Sequence, residues 1–215
     1  MENKVNLTAI ERKAFRATFE DGLFDLLIVC FTLQFAMEPY LSEWGLGDFW
    51  SSMIFLPVYL IALFGLKKGK KNITVPRIGM ANYSPVRKTK IRKLHFYFSV
   101  LLLAGIFVGL FAFQIGSADA LKWIFPAILS FLMLFTFGVA GFYLDYPRLF
   151  FYGILISILV PIAEVLFWNG FVTHHGYPLA FGITSVVILF TGLFHFVKFV
   201  RKYPIAEKEA ADGNI

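Results

Sequence analysis

The apolar positions fall into six runs, at about 23–41, 49–66, 95–116, 121–143, 149–169 and 178–199. Each approaches the roughly 20 residues that a helix needs to cross the hydrocarbon core of a bilayer. Within a run such as Phe96 to Phe113 the side chains do not alternate apolar and polar, as they would along a strand of a membrane barrel. A helix satisfies its backbone donors and acceptors internally, which lipid demands. The pattern predicts an all-α, polytopic helical membrane bundle of about six transmembrane helices.

A different periodicity precedes the first run. Leu7, Ile10, Ala14 and Phe15 recur at helical spacing, with Arg12, Lys13 and Arg16 off that stripe. Thr8 and Glu11 have the spacing of a capping box, and Gly22 reads as a break. An amphipathic helix with basic flanks suits the headgroup layer. The predicted organisation is thus an amphipathic helix over 1–22, a first transmembrane hairpin over 23–66 and a basic loop over 67–94. Four further transmembrane helices over 95–200 and a tail over 201–215 complete it. The first twenty residues are polar and charged, so no cleavable signal peptide is expected.

Composition supports lipid as the solvent. Apolar residues make up 58% of the chain and charged ones 16%, against about 45–50% and about 25% in a soluble domain. Charge then sets the orientation. Lys67, Lys68, Lys70, Lys71, Arg77, Arg87, Lys88, Lys90, Arg92 and Lys93 are half of the 20 Lys and Arg, with no acidic residue among them. Loops rich in Lys and Arg stay in the cytoplasm, which predicts an inner-membrane protein with both termini cytoplasmic. The connections 42–48, 117–120 and 169–177 then face outward, and they lack Lys and Arg. Trp44, Trp50, Trp123, Trp168 and Tyr177 fall near that outer boundary, as an aromatic belt would. Topology explains the basic stretch without nucleic acid. Anionic lipid on the cytoplasmic side is the expected partner, at about 1 kcal/mol per Lys or Arg near the bilayer. A protein partner or a second copy of the chain stays open.

Ionisable residues inside spans are expensive, so each is a candidate site. Glu164 lies three residues after Pro161 in the fifth run, and Glu38 beside Pro39 repeats the combination. With His174 and His175 they form a candidate intramembrane polar site on the outer side. Glu164 is read either as a proton or cation carrier or as a carboxyl paired with a nearby Tyr, Trp or His. A zinc site would need three or four tetrahedral ligands, and whether this cluster holds a metal is left open. No cofactor is expected. On the inner side, Glu20, Asp21 and Asp25 are expected to pair with Arg77 or with the cations of 87–93. The β-branched stretch Ile73-Thr74-Val75 before Pro76 suggests a short extended segment. Gly105 with Gly109, and Gly138 with Gly141, offer close helix approach. Cys30 is alone, which rules out an intramolecular disulfide.

Glu20-Asp21-Gly22-Leu23-Phe24-Asp25 and Pro76-Arg77-Ile78-Gly79 together resemble motifs of a family of uncharacterised prokaryotic integral membrane proteins. The resemblance covers about a third of the chain. It implies a helical membrane fold in a prokaryotic cell membrane, and no catalytic residue comes with it. Walker, HExxH and G-x-S-x-G patterns are absent, so no catalytic residue is assigned. A non-enzymatic protein that contacts lipid or a partner is the leading expectation. A small transporter or channel using Glu164 is the alternative, and a membrane enzyme acting on lipid-like substrates the second.

Overall fold

A computed structural model of the protein describes residues 7–79, 84–115 and 121–204, with side chains at all of these but 7–10, 48, 102, 104–115 and 121–123. In chain order the helices are α1 (Leu7–Ala17), α2 (Leu23–Leu41), α3 (Gly47–Met53), α4 (Phe55–Gly69), α5 (Val75–Ile78), α6 (Pro85–Ile115), α7 (Leu121–Tyr143), α8 (Pro147–Trp168) and α9 (Gly176–Lys202). Among the described residues there is no strand, and the fold is an all-α helical bundle. Among the described residues, five stretches are long and apolar enough to cross a membrane: Leu23–Leu46, Phe49–Ile78, Ile124–Tyr143, Pro147–Trp168 and Gly176–Lys202. The third run expected from the sequence lies on α6. Its close-packing pair Gly105 and Gly109, and the capping side chain of Thr8, fall outside the described side chains.

The second run is one stretch by hydropathy but two helices by geometry. A bend at Gly45, with φ 94°, leads into α3, and a turn at Ile54 separates α3 from α4. Pro57 therefore sits in the first turn of α4, where a missing N–H costs little. The stretch 73–79 is not extended: Lys70–Thr74 form a wide helical turn that continues into α5. Side-chain bonding at Thr74, described below, outweighs the β-branched preference, and Gly79 (φ 77°) ends the helix.

The chain forms two units, one of Met1–Ala81 with Ser185–Ile215 and one of Asn82–Thr184. In the first, α2 turns Asp25, Ile28, Thr32 and Ala36 inward at helical spacing. Opposite them on α9, the Ser185 hydroxyl donates to the Thr32 oxygen at 2.8 Å. Gly22, in the left-handed region (φ 68°), lies against Gly192; a Cβ there would overlap the Gly192 carbonyl oxygen. Only glycine satisfies both demands.

In the second unit α7 and α8 form the most extensive helix pair. Gly153 lies against the Phe137 side chain and Gly141 against the Phe150 ring, so small residues admit large ones. The turn between these helices is closed by Tyr146 N–H donating to the Gly141 carbonyl at 2.9 Å, with Asp145 N–H on the Phe142 carbonyl. That is the pattern in which glycine normally takes the left-handed position. Here Asp145 takes it, with φ 51°.

Candidate functional site

Glu164 lies one turn from the end of α8 and is 4% exposed. Three donors converge on its carboxylate. Trp168, one turn further on, donates its indole N–H to Oε1 at 3.0 Å, and His175 Nδ1 lies 3.0 Å from the same oxygen. Gly176, the first residue of α9, donates its backbone N–H to Oε2 at 2.8 Å. The carboxylate thus holds the start of α9, where the backbone donors of a helix are otherwise unpaired. A Cβ on Gly176 would collide with the backbone of Ala163 and Glu164, so this closeness needs glycine. The His175 ring packs on Phe167 at 4.5 Å between centroids, and His174 is half buried.

Glu38 belongs to the other unit. It is half buried near the end of α2 and accepts a hydrogen bond from the Ser52 hydroxyl of α3. One turn earlier, Gln34 Oε1 accepts the Tyr59 hydroxyl of α4. Sequence reading passed over Gln34, Ser52 and Tyr59, though a lone glutamine inside an apolar run was the available signal. Among the described residues, no group of three or more His, Cys, Asp or Glu is gathered to hold a metal ion.

Of the inner acidic residues, Asp21 pairs differently from expectation. Asp21 is fully buried; its Oδ2 takes Lys70 Nζ at 2.6 Å and the Thr74 hydroxyl at 2.5 Å. Its Oδ1 takes the Leu23 N–H at 3.1 Å. Lys70 also donates to the Thr18 carbonyl just after α1, which ties that helix to the base of α2 and α4. Arg77 is not the partner: its guanidinium donates to the Ile73 carbonyl at 2.8 Å, one helical turn back. Thr74 lies one turn beyond Lys70 and both reach the Asp21 carboxylate, whereas the Arg77 guanidinium is held by its own helix. Arg87 pairs with Asp145 at 2.6 Å, both side chains under 10% exposed. Charge alone could not match Asp145 to Arg87 in the sequence.

The remaining predicted cations divide cleanly. Lys67, Lys68, Lys71, Lys88, Lys90, Arg92 and Lys93 are exposed. On α1, Arg12, Lys13 and Arg16 are exposed while Phe15 is buried, which realises an amphipathic helix over the described side chains. Large apolar side chains also face outward, among them Phe64, Phe131, Phe151 and Phe190 at 68–69% exposure. Water would reject such a surface and lipid would not.

These five apolar helices of crossing length fit an integral membrane protein. No family model matches the chain, and no curated protein or solved structure does. The motifs at Asp21 and Pro76–Gly79 therefore stand on their own geometry, a buried carboxylate and a helical turn, and bring no activity with them.

Proposed function

We propose that this integral membrane protein is non-enzymatic and works through contact with anionic lipid on the cytoplasmic face of a cell membrane. The sorting of its cations carries the reading. Two of the ten, Lys70 and Arg87, turn onto buried carboxylates, whereas seven are exposed beside helices whose outer surfaces are apolar. Cations so placed meet phosphate headgroups at about 1 kcal/mol each. Helix α1 adds three more on its exposed face, tied down through Lys70. By the same logic both termini lie in the cytoplasm.

The alternative of a transport path through Glu164 is weakened by its donors. A carboxylate that already accepts three hydrogen bonds from fixed groups has little capacity for a passing cation or proton.

The test is lipid retention. Protein in mixed anionic and zwitterionic nanodiscs is purified gently, and bound lipid is identified by native mass spectrometry. Replacing Lys88, Lys90, Arg92 and Lys93 together by Gln is expected to lower the anionic share of retained lipid several-fold, with the fold intact. An unchanged share, there and after the same change at Lys67, Lys68 and Lys71, overturns the proposal.

A further inference from the structure

We propose that the cleft between α2, α3 and α4 binds the protonated primary amine of an amphipathic molecule whose apolar tail lies along the lipid-facing side. The cleft measures about 280 Å³ and is lined by Gln34, Phe49, Ser52, Met53, Leu56 and Tyr59. Pockets for whole drug-sized ligands run from about 300 Å³ upward, so this one suits a headgroup rather than a complete molecule.

The chemistry of the walls selects the head. Tyr59 donates its hydroxyl proton to Gln34, and Ser52 donates its own to Glu38. Both protons are thereby committed to the protein, and what the two oxygens keep is acceptor capacity. Among the described residues Glu38 Oε2 takes no donor, so the carboxylate that holds Ser52 also accepts. No Lys, Arg or His lines the cleft, so an anion would meet no positive charge and only the Gln34 amide N–H₂ as a donor. A group with several N–H donors and a positive charge completes the set, and its bonds to a carboxylate are of the stronger, charge-assisted kind. The Phe49 and Tyr59 rings add faces that attract a cation.

The tail follows from the other wall. Met53 and Leu56 are exposed at 43% and 55%, and Trp50 beside Phe49 at 65%. These are surfaces for an alkyl chain. Polar groups inside apolar helices are costly when they serve nothing. Here three of them line one opening, and a fourth, Glu38, is bonded to one of the three. The inference uses the first unit alone and does not depend on the basic residues.

The experiment uses the full chain in phosphatidylcholine nanodiscs, with labelled dodecylamine as probe and equilibrium dialysis as readout. Saturable binding is expected, absent for dodecyl sulfate and weaker for dodecyltrimethylammonium, which has no N–H. Glu38→Gln keeps an acceptor for Ser52 but removes the charge, and should weaken binding about tenfold. Met53→Trp fills the cleft without touching its polar pairs and should weaken binding as well. Adding phosphatidylethanolamine separates the sources: competition with the probe identifies a lipid amine, and its absence a free amphipathic amine. Wild-type affinity in both variants, or equal binding of dodecyl sulfate, overturns the proposal.

Discussion

Glu164 and Glu38 look alike in sequence, each a carboxyl beside a proline toward one end of an apolar helix, yet the fold treats them oppositely. Glu164 is almost wholly enclosed and receives an indole N–H, an imidazole nitrogen and a backbone N–H. Glu38 is half buried, receives one hydroxyl and stands next to an open cleft. The difference lies in what the surroundings supply. Where rigid helix ends bring enough donors, a carboxylate in an apolar region is satisfied and becomes a fastener. Where they bring one, it retains capacity for something from outside.

The comparison is broken most directly at the closed end. Glu164→Ala leaves the Gly176 and Trp168 N–H groups without their acceptor and should cost on the order of 3 kcal/mol. Gly176→Ala attacks the same junction from the other side, by overlap with the backbone of Ala163 and Glu164, and should cost about 2 kcal/mol. Unfolding midpoints in bicelles measure both. A Glu164→Ala protein as stable as the parent would mean that the three donors find equal partners elsewhere, and the fastener would be gone.

Next in size is a third carboxylate that sharpens the contrast. Asp21, like Glu164, is saturated, but its donors include a charge, Lys70, that is only 27% exposed. Lys70→Met should cost about 2 kcal/mol, less than a fully buried pair because water partly screens it. Its exposed neighbour gives the control: Lys71→Met should shift stability by less than about 0.5 kcal/mol. Equal effects at the two positions would show that burial of the carboxylate does not decide which cations matter.

Much of this architecture was legible in the amino-acid sequence because hydropathy and helix length are local properties. The first and fourth runs coincide with α2 and α7 in their limits, with Gly22 marking the start of the former. The second run misled because hydropathy is blind to direction. It is continuous through Ile54, where a turn divides the backbone into α3 and α4. Pairing was the least legible. Ile73, Thr74 and Val75 read as extended by their branching, and Arg77 read as a partner for the inner acids by its charge. The buried Asp21 carboxylate instead draws Lys70 and Thr74 onto one helical face, a long-range contact that no window of sequence contains. At Glu164 the nearby indole and histidine were visible, but the Gly176 backbone donor was not, since every residue but proline carries one.

The smallest expected effect tests the open end of the comparison. Glu38→Gln keeps an oxygen for the Ser52 hydroxyl, and the half-buried position leaves room for its new amide hydrogens. Nothing buried loses a partner, so the stability change should stay below about 0.5 kcal/mol. The same chemical change at Glu164 cannot be absorbed: an amide N–H₂ must face at least one of its three donors, at a cost of about 2 kcal/mol. The ratio of the two effects is therefore more informative than either alone, because the substitution is identical and only the surroundings differ. If the two glutamines destabilise equally, both carboxylates serve packing, and the cleft beside Glu38 loses its claim to hold a ligand. If only Glu164→Gln does, the chain has separated its carboxylates into one that locks helices and one that waits for a cation.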